Sequence, residues 1–170
     1  MFTFEAVKEH LPDFTYEAID VNGTPAALVS REKIVEVAKV LKEKFEFLQF
    51  IDAFGYDHNQ RKGRFEVTYS VRNHKTKDRA FLKVRCDEQD PHVPTLCGVW
   101  SGCNWNERET YDMYGVIFDG HPDLRRMYMP EEFEYYPLRK DFPLMGIQGS
   151  IPLPRTNGAE ARFHVPDQGE

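Results

Sequence analysis

Two stretches of strict period-two alternation restrict this chain more than anything else in it. Phe65, Val67, Tyr69 and Val71 are interleaved with Glu66, Thr68, Ser70 and Arg72, and Ala80, Leu82, Val84 and Cys86 with Phe81, Lys83 and Arg85. Successive side chains of a strand point to opposite faces, so this pattern predicts an antiparallel sheet with one buried and one wet face, covered by helices on one side. Phe47 to Asp52 reads as a further short strand. The connections His58–Arg64 and Asn73–Arg79 are polar and hairpin-like. Their basic residues could dock an acidic partner, but solvated turns are the preferred reading. Tyr16–Ile19 and Ala26–Val29 flank Asn22-Gly23, a hairpin signal whose turn Pro25 is expected to lengthen. From Ser30, read as an N-cap, Ile34, Val37, Ala38, Leu41 and Phe45 recur at helical spacing. Phe2 to Leu11 is expected as a short helix with Phe2, Ala6 and Val7 on one face, stopped by Pro12.

Charge and composition then exclude whole classes of function. With 28 acidic and 22 basic residues the net charge is −6, so no protein-wide positive field draws in nucleic acid. A chain of 170 residues, 41 % hydrophobic and 29 % charged, can bury a core as one domain, or as one domain with an extension. Cys86, Cys97 and Cys103 are odd in number and lack CxxC spacing, which fits a reducing compartment rather than a disulfide framework. The N-terminus carries no secretory signal pattern, and no apolar run approaches the roughly 20 residues needed to span a bilayer. Direct membrane insertion is not expected.

After residue 90 the texture changes. The fold class expected is α+β, an antiparallel sheet covered by helices on one face, followed by an extended C-terminal segment with a short helix. Residues 1–90 are expected as the α+β domain, 91–145 as a segment that docks on a partner, and 146–170 as a Pro- and Gly-containing tail. Asn104 is expected to cap a helix from Trp105 to Tyr114, with Glu107 completing a capping box and Gly115 ending the helix in the left-handed conformation. Arg108 and Asp112 lie four apart and are expected to pair. Glu107, Glu109 and Asp112 raise the question of acid–base catalysis, but with no nucleophile at a suggestive spacing a structural ion network is preferred. Three dispersed thiols do not make an ordinary cluster or zinc site, and no phosphate-cradling glycine loop is present.

The run Asn104-Trp-Asn-Glu-Arg-Glu-Thr-Tyr-Asp-Met-Tyr-Gly-Val-Ile-Phe-Asp-Gly-His-Pro-Asp-Leu-Arg-Arg126 resembles the signature of the C subunit of the proton-pumping NADH:quinone oxidoreductase, respiratory complex I. The resemblance continues in Pro137–Pro143, and upstream in Phe50–Asp57 and Val93–Thr95. The family usually has Trp and Gly where this chain has Phe133 and Tyr135. The resemblance implies a non-catalytic subunit of the hydrophilic arm that packs on the D subunit, with the B and I subunits as neighbours. It implies no cofactor in this chain, and FMN, iron–sulfur clusters and quinone in the assembled complex. It also implies a peripheral position on the cytoplasmic side of the cell inner membrane. The partner interface is expected to include Glu107, Arg108, Glu109, Asp112, His121, Arg125, Arg126, Tyr136, Arg139, Lys140 and Phe142. Tyr136, Arg139 and Phe142 are its expected anchors, because Tyr and Arg are enriched where interfaces concentrate their energy. Weighed beside this are the equivalent J subunit of the ferredoxin-dependent photosynthetic complex, a counterpart in a hydrogenase complex, and a stand-alone acid–base enzyme.

Overall fold

The computed structural model of the chain describes residues 2–60 and 62–147. After a 3₁₀ turn at Phe4–Glu9 come β1 (Tyr16–Val21), β2 (Thr24–Val29), α1 (Ile34–Glu43), β3 (Gln49–Asp57), β4 (Phe65–Arg72) and β5 (Arg79–Cys86). Then follow β6 (His92–Pro94), α2 (Cys103–Tyr114) and β7 (Ile117–Asp119). The first five strands form one sheet in the order β1-β2-β5-β4-β3, and β6 and β7 pair separately. The fold is α+β. Within the sheet, β2 and β5 run parallel while the other pairs are antiparallel. The parallel pair arises because β2 is followed by α1 and the β3–β4 hairpin before β5 returns beside it.

The alternation in β5 reads out as predicted, with Ala80, Leu82, Val84 and Cys86 buried. β4 departs from it: Glu66, Thr68 and Ser70 are buried too. β4 lies between β5 and β3, and long side chains of β5 lie over its second face. Lys83 and Arg85 each donate to Glu66 at 2.8 Å. β3 runs on to Asp57, past the expected end at Asp52, because β4 offers it partners as far as Phe65, with a register irregularity between Phe50 and Asp52.

The Asn22-Gly23 turn is a tight two-residue one, with φ of 53° and 79°. Pro25 does not lengthen it. It pairs with Asp20 inside the hairpin, and the β2–β5 ladder begins only at Ala26, so its missing N–H is not needed there. α1 buries Ile34, Val37, Ala38 and Leu41 as expected, yet its N-cap is Lys33, without a side-chain cap, instead of Ser30. In the first turn the buried residues are Phe4 and Val7. Phe2 sits partly exposed with its ring edge-on to Phe4, Phe45 and Phe47. Tyr135 does not take a positive φ.

One hydrophobic cluster joins the sheet and α1 to Val93, Leu96, Val99, Trp100, Cys103, Val116 and Phe118, so the core passes residue 90 without a break. α2 crosses β3 on the same face as α1, and the crossing depends on Gly55. A Cβ there would lie 2.7 Å from the Tyr114 ring and 2.8 Å from Thr110 Cγ2. Gly55→Ala should therefore push α2 off β3. Overpacking of this kind costs about 1–3 kcal/mol, which a lowered urea midpoint with unchanged slope would show.

Candidate partner-docking surface

α2 places two carboxylates where water cannot reach them. It starts at Cys103, earlier than expected, with Gly102 as N-cap and no side-chain cap. The expected capping box is not formed, because Glu107 turns inward. Its Oε1 accepts from the Leu96 amide at 2.9 Å and the Tyr69 hydroxyl at 3.1 Å; its Oε2 accepts from the Thr95 hydroxyl and, at 3.4 Å, from the Cys97 thiol. Burial pushes the Glu107 carboxyl above its ordinary value against the pull of those donors. Burial likewise raises the Cys97 thiol to about 11. Glu107 thus pins the turn at residues 95–97 to the centre of the sheet.

Asp112 does the same for the chain beyond α2. Its Oδ2 accepts the amides of Met127, Tyr128 and Met129 at 3.0, 2.6 and 3.0 Å, and its Oδ1 accepts from Arg126 at 2.9 Å. Burial would raise this carboxyl, but the three amides and the guanidinium outweigh it and hold it below the usual range. The expected Arg108–Asp112 pair does not form. Arg108 instead donates to the Arg125 carbonyl at 3.1 Å and lies over the Trp105 ring. Arg126 also donates to the Tyr135 carbonyl and lies over Phe133 and Tyr136.

Gly115 ends α2 with φ 77°, as the sequence predicts, and a Cβ there would meet Tyr136 and Arg139 at 2.6 Å. Arg139 donates to the Tyr114 carbonyl at 2.7 Å and stacks on Tyr136 and Phe65. The Leu138 amide donates to the Met113 carbonyl. The Lys140 amide donates to Asp57 at 2.9 Å. Asp57 is itself held by Arg64 through Nε and Nη2, and Arg64 continues to Glu88 and Asp141. Here too burial is outweighed, by Arg64 and the Lys140 and Asn59 amides, so Asp57 titrates below its ordinary value. Sequence reasoning missed Arg64, treating it as part of a solvated turn although it is buried. It also overestimated what Tyr135–Pro143 needs from outside: Tyr136 and Arg139 are anchored on this chain's own α2.

The predicted interface residues therefore divide. Glu107, Arg108, Asp112, His121 and Arg126 face inward, and Tyr136, Arg139 and Phe142 are half-buried. Glu109, Arg125 and Lys140 are exposed, with Tyr128 and Leu138 beside them. Glu107 and Asp112 have separate sets of donors and Glu109 is exposed, so these three carboxylates do not form a pair for acid–base chemistry. Cys97, Glu107 and His121 do lie within 4.8 Å of one another, a set of donors worth testing for a metal. His121 Nδ1 accepts the Asp123 amide at 3.0 Å and Nε2 faces the Asn104 carbonyl at 3.2 Å. Both ring nitrogens are therefore engaged with the proton on Nε2, the nitrogen a metal would need, and the donor set does not fit one.

Residues 27–148 match the family described as respiratory-chain NADH dehydrogenase, 30 Kd subunit. The chain belongs to that family. It is 43 % identical over 144 residues to the NADH-quinone oxidoreductase C subunit of Roseiflexus sp. (strain RS-1), covering 82 % of each protein. It is 40 % identical over 145 residues to the NADH-quinone oxidoreductase C/D 2 subunit of Aquifex aeolicus, a match that covers 85 % of this chain and 24 % of that longer one. Among solved structures, a trypsin-resistant fragment of Nqo5 superposes with a TM-score of 0.59 at 30 % identity, over 71 % of this chain and 98 % of the fragment.

Removing one side of a buried, hydrogen-bonded ion pair costs about 3–5 kcal/mol. Asp112→Ala should lose that much in urea unfolding, and limited proteolysis should then cut near residues 126–129 first. A second expectation concerns pH. Asp57 and Asp112 titrate below their ordinary 3.8, so the stability they supply is lost as pH falls through the acid range beneath that value. Glu107 titrates above its ordinary 4.5, so the native state holds its proton longer than the unfolded chain and stability falls as pH rises through the window above 4.5. Glu107→Gln should flatten that second decline and leave the acid limb intact, read from urea midpoints against pH.

Proposed function

We propose that this chain is the C subunit of an NADH-quinone oxidoreductase and works there as a structural, non-catalytic part of the hydrophilic arm. The observation that carries this is the match to a C subunit over most of both chains, which includes the residues that build the buried carboxylate network. Electron carriers, FMN and iron–sulfur clusters, belong to other subunits, as does the quinone site. The D subunit is the principal neighbour. The Aquifex relative, whose name joins C and D, supports this by carrying the matched region within one longer polypeptide. The B and I subunits are further neighbours.

Contact is made by the exposed side of the signature segment, with Glu109, Arg125, Lys140 and Leu138, on a frame positioned by Glu107, Asp112 and Arg126. Phe142 and the open part of Tyr136 complete it. No helix among the described residues is long and apolar enough to cross a membrane. The chain is held at the cytoplasmic side of the membrane by its partners.

An affinity-tagged copy purified from detergent-solubilised host membranes should bring down the B and D subunits, identified by mass spectrometry, together with NADH-quinone reductase activity. The same chain expressed alone should oxidise no NADH and hold no stoichiometric iron. A tagged chain that purifies without other subunits, or that is active alone, would overturn this reading.

A further inference from the structure

α1 and α2 cover only one face of the five-stranded sheet, and the register of β3, β4 and β5 defines what the other face presents. Its rows are Gln49–Arg72–Arg79, Asp52–Ser70–Phe81, Phe54–Thr68–Lys83 and Tyr56–Glu66–Arg85. The last row is balanced, since Glu66 is held by Lys83, Arg85 and His58. The first is not. Arg72 and Arg79 stand directly opposite each other, an arrangement that repels. Arg72 Nε is buried without a hydrogen-bond partner, and among the described residues neither guanidinium forms a hydrogen bond or an ion pair. The nearest carboxylate by register, Asp52, is turned away over the sheet edge to accept from Asn106 of α2 at 2.6 Å.

Two arginines at directly paired strand positions, one with an unmatched buried donor, are a costly arrangement that a carboxylate would relieve. Arg presents a planar fork of donors that matches a carboxylate bidentately. The surroundings favour a protein as its source. Phe54 and Tyr56 are 48 % and 49 % exposed on the same face, and Ile51 is 39 % exposed on the same edge strand. A small anion would leave those apolar surfaces bare, whereas Arg beside aromatics is the composition at which protein interfaces concentrate their energy. The spot is also positive on a chain whose net charge is −6, which orients an acidic partner toward it.

We propose that Arg72 and Arg79 receive an Asp or Glu side chain of a neighbouring subunit, making the open sheet face a second docking surface that points away from α2. This rests on the chain being part of an assembly.

The test uses the intact complex. With Arg79→Lys in the chain, a zero-length carbodiimide should join the new amine to an Asp or Glu of another subunit, located by mass spectrometry of the cross-linked peptide. The same amine should be acetylated at least tenfold more slowly in the complex than in the isolated chain. The double variant Arg72→Gln, Arg79→Gln, which removes the cross-strand repulsion, should melt no lower than wild type in isolation, and its incorporation into the complex should fall at least tenfold. Coupling only within this chain, undiminished acetylation, or normal incorporation of the double variant would each overturn the proposal. If the wild-type chain co-purifies with no other subunit, the assembly reading fails together with it; if it assembles while position 79 stays open, only the second surface fails.

Discussion

A carboxylate closed off from water, Asp112, fixes the course of the chain just beyond α2, at residues 126–129. A buried charge is tolerable only when paired and hydrogen-bonded, and the three successive amides and one guanidinium that satisfy Asp112 all come from residues 126–129. The chain beyond α2 cannot drift without stripping those donors from it. Arg126 passes the constraint on, since the same guanidinium holds the Tyr135 carbonyl and lies over Phe133 and Tyr136. Segments rich in proline, which cannot form a ladder of their own, are thus given backbone partners by side chains.

The two ends of α2 use different means to the same result. At the start, Glu107 gathers Leu96, Thr95, Cys97 and Tyr69, so the helix is fixed to the loop before it and to the middle of β4. At the end, Gly115 turns left-handed and leaves the space that Tyr136 and Arg139 fill. Gly55 removes the one side chain that would hold α2 away from β3. The signature residues therefore serve position first, and only the exposed remainder can meet a partner.

Elements with local causes were legible in the sequence: the alternation of β5, the apolar stripe of α1, the Asn22-Gly23 turn and the stop at Gly115. What escaped depends on distant groups. Glu107 has the spacing of a capping box, but its side chain goes to Leu96 and Tyr69, which no local rule connects to it. Arg108 and Asp112 are spaced to pair, yet Asp112 gains more from three amides fifteen or so residues away, and Arg108 turns to the Arg125 carbonyl. Arg64 looked like a solvated turn residue because its partner Asp57 ends a strand that the sequence pattern stopped at Asp52. In each case an ion that could remain hydrated in a short peptide is buried by the sheet, and burial makes long-range pairing obligatory.

Because these charges are satisfied inside the chain, docking does not have to fold the signature segment. A disordered segment gives up conformational freedom at the moment of binding, and that ordering cost is subtracted from its affinity. Here Asp112, Arg126, Arg139 and Asp57 hold residues 126–140 in place through contacts within the chain, so their backbone is set before any partner arrives. Preorganised surfaces lose less on association, and small, largely polar contacts can then suffice. Among the described residues, where nearly every buried charged group is satisfied within the chain, Arg72 stands out: its Nε is buried without a hydrogen-bond partner, and it faces Arg79 across the β4–β5 ladder.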